Sequence, residues 1–116
     1  MTKRDRTILN KIVHEAAVIA EMLNGIDETV FSGNEEKMRA VCMALINIGE
    51  LVKNLNREFR LEHKQIPWKD MAGFRDVAAH GYFTIRMPDV WLYAATELPL
   101  YAEQIKEILT REEETQ

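Results

Sequence analysis

Apolar residues recur at three- and four-residue steps along most of the chain, and this spacing predicts helices. The first predicted helix runs from about Asp5 to Asn24, and Gly25 is a suitable stop because glycine tolerates the left-handed conformation that ends helices. Residues 26–33 then form a connector with room for one helical turn over Asp27–Phe31. The apolar face of this first helix comprises Ile8, Ile12, Ala16, Ile19, Ala20 and Leu23.

The second predicted helix is long and extends from Asn34 to about Arg60 or slightly beyond. Gly49 lies on its apolar stripe, where glycine costs about 1 kcal/mol of helix propensity relative to alanine. A glycine at such a position predicts the close approach of another backbone, from a neighbouring helix or from a second subunit. The apolar positions repeat at about 3.5 residues, as in a helical bundle or coiled coil, and they are Met38, Val41, Cys42, Leu45, Ile48, Val52 and Leu55.

Prolines mark the starts of two further predicted helices. The third begins near Pro67, since proline is favoured in a first helical turn, and it frays near residues 80–82. The fourth begins at Pro88, and Pro99 inside it should kink it. No segment has the two-residue period of a strand. The pattern therefore predicts a single all-α domain over residues 1–116, a four-helix bundle of mostly antiparallel helices with room for one short extra helix.

Composition narrows the classes of protein that this chain can belong to. The formal net charge is −4, so contact with a nucleic acid requires a local basic patch. The single cysteine, Cys42, excludes an internal disulfide, and its apolar position predicts a buried thiol. The few scattered Cys and His residues form no zinc signature. No apolar run approaches the ~20 residues of a membrane helix, and no signal-peptide segment follows the first residues, so we expect a cytoplasmic protein.

The segment from Arg75 to Tyr82 carries the candidate chemistry. Asp76 and His80 are four residues apart, so they share one face of a helix. His80 can act as an acid or base near neutral pH, and Asp76 can orient its imidazole. Arg75 can stabilise a negatively charged transition state. This set suits attack of an RNA 2′-hydroxyl on the adjacent phosphate, without a metal or other cofactor. The alternative is a surface Arg75 and a His80 that caps the helix C-terminus.

A second basic feature precedes this segment. Four cations step by 4, 3 and 4 residues and would form one stripe if the second helix continues: Lys53, Arg57, Arg60 and Lys64. The stripe could contact an RNA backbone or the acidic face of a partner protein. The alternative is a solvated face whose cations pair with Glu50, Glu58 and Glu62.

Arg75 and His80-Gly81-Tyr82 together resemble the Arg-x4-His-x-Tyr motif of HepT-type HEPN proteins, which are toxins of prokaryotic toxin–antitoxin pairs. Other segments resemble the same family and keep the same order along the chain. They are residues 44–50 (ALINIGE), 66–75 (IPWKDMAGFR), 80–83 (HGYF) and 97–100 (ELPL). This ordered set is more specific than the Arg-x4-His spacing alone.

The resemblance implies a metal-independent endoribonuclease in which Arg75 and His80 are the catalytic pair. It also implies a homodimer whose two motifs face a shared cleft. Tyr82 matches the tyrosine to which an MntA-like nucleotidyltransferase antitoxin transfers AMP, which silences the toxin. Asp76 stands where asparagine is frequent in the family, and residues 84–86 also depart from the family pattern. Two alternatives stay open, a catalytically weak module that binds a nucleotidyltransferase or a nucleotide, and a structural adaptor.

Overall fold

The computed structural model describes residues 1–73 and 86–114, and every regular element in those two ranges is helical. The all-α prediction is therefore confirmed. Residues 68–73 are helical up to the end of the first range, and a π-helical turn, Tyr93–Glu97, joins the last two helices. The helices are α1 (Lys3–Leu23), α2 (Glu28–Ser32), α3 (Glu35–Lys53), α4 (Arg57–Glu62), α5 (Met87–Leu92) and α6 (Leu98–Glu114).

Helix α1 lies between α3 and α6 and packs against both. The Thr2 hydroxyl caps its start by accepting a hydrogen bond from the Asp5 backbone N–H at 3.0 Å. Its end is at the predicted place, because Gly25 adopts a positive φ of 77° directly after the C-cap residue. Lys37 of α3 donates to the Met22 carbonyl at 2.8 Å and so satisfies one of the last carbonyls of α1.

The connector after α1 contains the predicted helical turn, which is α2. The Asp27 side chain caps it by accepting a hydrogen bond from the Val30 backbone N–H at 2.9 Å. Phe31 is fully buried and its ring centroid lies 5.5 Å from that of Trp91 in α5. This aromatic contact ties the connector to the C-terminal part of the fold.

The second predicted helix is interrupted, so the prediction of one helix reaching Arg60 is wrong. Helix α3 ends at Lys53, and residues 54–56 separate it from α4. The physical reason is a tertiary hydrogen bond. The Asn56 backbone N–H donates to the Asp5 carboxylate of α1 at 3.0 Å and is therefore withdrawn from the helical ladder.

The C-terminal helix departs from regular α-helical geometry near Pro99, where the sequence predicted a kink. Pro88 lies in the first turn of α5 as expected, and Pro99 is the second residue of α6. Only Leu98 separates the π-helical turn from Pro99, and the Leu98 backbone N–H, directly after the turn, donates to the Tyr93 carbonyl, five residues back. The effect of Pro99 therefore takes the form of a local change in hydrogen-bond register.

The core combines the apolar faces of the long helices, and it includes Cys42, whose predicted burial is confirmed. Burial raises the pKa of the Cys42 thiol. Gly49 is also buried within α3. Among residues 1–73 and 86–114, no helix is both long and apolar enough to cross a bilayer. The largest fully buried side chains include Leu9, Ile12, Ile19, Leu45, Ile48, Ile66, Met71 and Ile105.

Candidate functional site

The four motif residues, Arg75, Asp76, His80 and Tyr82, lie outside the described residues. Their predicted roles and mutual geometry therefore stay predictions. The structure does describe the residues that precede them in the sequence, α4 and residues 63–73, and the surface that these residues form.

An open cleft of about 600 Å³ occupies this surface. All four cations of the predicted basic stripe line it, and Lys69 joins them from the helical segment 68–73. Its apolar lining consists of Leu61, Ile66, Pro67, Trp68 and Ala72. Ala72 precedes Arg75 by three residues in the sequence. We call this surface the basic cleft.

Helical periodicity does not explain why the cations lie together in the basic cleft. Lys53 ends α3, whereas Arg57 and Arg60 lie on α4 and Lys64 lies in the turn after it. The single continuous stripe predicted from the sequence is therefore wrong as a helix face. The break after α3 and the turn after α4 bring the cations together instead. Lys69 lies on a third element, beyond Pro67, and no helical spacing in the sequence links it to the others.

Buried aromatic and aliphatic side chains hold the walls of the basic cleft. Phe59 of α4 and Trp68 are 4% and 5% exposed, and their ring centroids lie 5.9 Å apart. The Trp68 indole N–H donates to the His63 carbonyl at 3.0 Å, which fixes the turn between α4 and residues 68–73. The His63 ring also packs 4.6 Å from Phe59, centroid to centroid. These contacts place the cations on a rigid support.

Three of the five cations of the basic cleft have no ion-pair partner in the described part of the chain. Arg57, Lys64 and Lys69 are exposed, and none of the three forms an ion pair within residues 1–73 and 86–114. Arg60 is half-buried, and its Nε is shielded from solvent with no hydrogen-bond partner in the described part of the chain. The alternative was a solvated face whose cations pair with Glu50, Glu58 and Glu62. In the described part of the chain, Arg57, Arg60 and Lys64 form no ion pair with Glu58 or Glu62. Such a cleft attracts anions.

The opposite side of the helical segment 68–73 faces a different environment. Burial raises the pKa of the Tyr93 hydroxyl above its ordinary range, with further contributions from Tyr101, Glu97 and Asp70. Burial, then Glu97 and Asp70, also raises the pKa of Tyr101. Asp70 is therefore close to the π-helical turn, whereas its neighbour Lys69 lines the basic cleft.

Three comparisons bear on what this arrangement does. A family model described as "Ribonuclease HepT-like" matches residues 12–108. A protein of Caldanaerobacter subterraneus subsp. tengcongensis, named "Putative RNase", is 38% identical over 110 residues, which cover 95% of this chain and 98% of the relative. A protein of Thermococcus cleftensis, named "Probable ribonuclease HepT", is 30% identical over 99 residues, or 85% of this chain and 90% of the relative.

A further relative from Methanocaldococcus jannaschii, also named "Putative RNase", is 34% identical over 110 residues. These cover 94% of this chain and 91% of the relative. No solved structure gives a significant match to this fold.

Proposed function

The chain belongs to the HepT-like ribonuclease family, and from that premise we propose that it is a metal-independent endoribonuclease that binds RNA in the basic cleft. The observation that carries the proposal is the convergence of five cations in one cleft, in a protein whose net charge is −4. The cleft residue Ala72 precedes Arg75 of the motif by three positions in the sequence. An RNA backbone is bound mainly by lysine and arginine at its phosphates. The exposed side chain of Leu61 offers an apolar surface to a sugar or base next to those cations.

In this proposal the chemistry belongs to Arg75 and His80. The 2′-oxygen attacks the adjacent phosphorus, the bond from phosphorus to the 5′-oxygen breaks, and a 2′,3′-cyclic phosphate and a 5′-hydroxyl result. His80 moves a proton, either from the 2′-hydroxyl or to the leaving 5′-oxygen. Arg75 offsets the charge that develops on the phosphoryl oxygens. Asp76 orients the His80 ring, and a homodimer would bring two such pairs to one cleft.

The proposal includes a means of control. An MntA-like nucleotidyltransferase antitoxin would transfer AMP from ATP to the Tyr82 oxygen, with release of pyrophosphate. The added phosphate would lie two residues from His80 in the sequence, where its negative charge would repel the RNA backbone. This would make the chain the toxin of a toxin–antitoxin pair.

Cleavage of RNA in EDTA tests the proposed reaction. We expect the wild-type chain to leave 2′,3′-cyclic phosphate ends, and we expect His80→Ala and Arg75→Ala to slow cleavage by about a hundredfold or more. His14→Ala is the matched control, because His14 is an exposed histidine on α1 outside the motif. Cleavage that survives in His80→Ala at the wild-type rate would refute the proposal, since the activity would belong to a contaminant.

A second candidate function is a catalytically weak module that binds the nucleotidyltransferase or a nucleotide. The observation that favours it is Asp76, whose carboxylate places a negative charge beside the proposed phosphate site. The same assay separates the two functions. If Asp76→Asn cleaves RNA much faster than the wild-type chain, the natural protein is the weak module.

A further inference from the structure

Asp5 is the only buried charged side chain in the described part of the chain, with 1% of its surface exposed. It lies in the first turn of α1 and faces the break between α3 and α4. Its Oδ1 accepts the Asn56 backbone N–H, and its Oδ2 accepts the Asn56 side-chain Nδ2, each at 3.0 Å. A carboxylate removed from water needs hydrogen bonds that replace its hydration. Asn56 supplies one to each oxygen.

This contact determines where α4 begins. Asn56 is the N-cap residue of α4, yet its side chain makes no cap hydrogen bond because it is directed to Asp5. A helix of six residues is not stable alone, so tertiary anchors fix its direction. The Asp5–Asn56 pair anchors its start, and Phe59 anchors its middle.

Two of the cleft cations depend directly on this anchor. Arg57 follows Asn56 in the sequence, and Arg60 lies one helical turn further along α4. The Nε of Arg60 is already shielded from solvent, so a small rotation of α4 would change what its guanidinium group faces. The geometry of the basic cleft therefore depends on the Asp5 carboxylate, which belongs to another helix, α1.

We propose that Asp5 is a positioning residue for RNA binding, which holds α4 through Asn56 so that Arg57 and Arg60 face the bound phosphates. This role rests on the proposed function of the basic cleft. It makes a prediction of definite sign. Loss of a negative charge from the protein would by itself strengthen RNA binding, whereas loss of the anchor weakens it.

The experiment measures the affinity of a labelled single-stranded RNA oligonucleotide by fluorescence anisotropy, in a His80→Ala background that does not consume the RNA. In Asp5→Asn an amide donor faces the Asn56 amide donor, and we expect affinity to fall about tenfold. Asn56→Ala removes one hydrogen bond without changing the net charge, and we expect a fall of about threefold. The reciprocal pair Asp5→Asn with Asn56→Asp restores a donor and an acceptor, and its affinity should return to within about twofold of the parent.

A matched control separates positioning from general destabilisation. Ile105→Val removes one methylene from a fully buried site on α6, and we expect it to lower the melting temperature without changing RNA affinity. Arg57→Ala in the same background tests the basic cleft itself. Suppose that Arg57→Ala weakens RNA binding, whereas Asp5→Asn and Asn56→Ala bind RNA as tightly as the parent or more tightly. This result overturns the role of Asp5 but does not contradict the proposed function of the basic cleft. A parent that binds no RNA, or an Arg57→Ala variant that binds as the parent does, overturns both. If Asp5→Asn does not fold, the RNA affinities of Asn56→Ala and of the reciprocal pair test the role of Asp5 instead.

Discussion

At the scale of single residues, Arg60 is the half-buried cation of the basic cleft. Its Nε is shielded from water and has no hydrogen-bond partner in the described part of the chain. A buried donor without a partner costs about 1–3 kcal/mol. In our proposal the Arg60 side chain turns toward the cleft when RNA binds, and a phosphate oxygen then satisfies this donor and removes the penalty.

Tyr82 is the residue on which control of the activity depends in our proposal. The chain has three tyrosines, and the hydroxyls of Tyr93 and Tyr101 both have raised pKa values because burial and nearby carboxylates disfavour their ionised forms. A hydroxyl that resists ionisation is a poor nucleophile. Tyr93 and Tyr101 are thus the less suitable acceptors of AMP, and our proposal assigns the modification to Tyr82. On that proposal we expect co-expression with a neighbouring nucleotidyltransferase to increase the intact mass of the chain by one or more AMP units.

Variants of two tyrosines locate the modification. The mass gain should vanish in Tyr82→Phe and persist in Tyr101→Phe, which is the matched control. A gain that persists in Tyr82→Phe would contradict the assignment. No gain, from a nucleotidyltransferase shown to be folded and to bind ATP, would mean that the enzyme is silenced by another route.

The sequence predicted some residues of the site and missed others for identifiable reasons. Cys42 is buried as its apolar position predicted, because helical periodicity reports burial directly. Asp5 looked like an ordinary charge at a helix start, since its partner Asn56 is far away in the sequence. Lys69 was missed for the same reason. Contacts between distant segments leave no periodic signal, and both residues depend on such contacts.

At the scale of elements, the break between α3 and α4 shows the limit of periodicity. Apolar spacing continues through Val52, Leu55 and Phe59, and all three are buried. The pattern therefore predicted one helix, although the chain leaves the helix at residues 54–56. Burial of the same side chains is compatible with both paths, and the hydrogen bonds to Asp5 select the interrupted one.

The C-terminal helix gives a prediction about stability at this scale. A proline within a regular helix costs about 3 kcal/mol, so its replacement by alanine would ordinarily stabilise the fold by that amount. Here the π-helical turn before Pro99 already changes the hydrogen-bond register, and Pro99 itself is exposed. We expect Pro99→Ala to change the free energy of unfolding by less than about 1 kcal/mol, because replacing proline by alanine also increases the conformational entropy of the unfolded chain.

Urea denaturation with a common m-value measures this change. Leu98→Ala is the comparison, because Leu98 is 1% exposed and its truncation should cost about 2–5 kcal/mol. A stabilisation of about 2 kcal/mol or more in Pro99→Ala would show that the π-helical turn does not offset the destabilisation that Pro99 causes in the helix.

At the scale of the whole molecule, charge is distributed unevenly. The chain is acidic overall, yet five cations line one cleft. A local basic patch is what the sequence required of any RNA contact, and its location could not be read from composition. Helix α1 supports that cleft through the hydrogen bonds of Asp5 to Asn56, the residue directly before α4.

The family and the all-α class followed from the sequence because ordered motifs and apolar periods are local features. The sequence predicted the candidate site only in part. Lys53, Arg57, Arg60 and Lys64 were found, but the helix that was expected to align them is interrupted. Their convergence depends on a turn, a buried carboxylate and two aromatic anchors.

The measurement that tests the central claim most directly is the initial rate of RNA cleavage across RNA and salt concentrations. The test variant is Arg57→Ala with Lys64→Ala. Its control is Arg39→Ala with Lys106→Ala, which removes equal charge from exposed positions. Arg39 lies about 21 Å from Lys53 along α3. We predict that the cleft variant raises KM about tenfold or more, keeps kcat within about twofold, and flattens the salt dependence by about 1.4 in log–log slope. The control should match the wild-type chain. Equal effects in the two variants, or no change in KM in the cleft variant, would contradict the account.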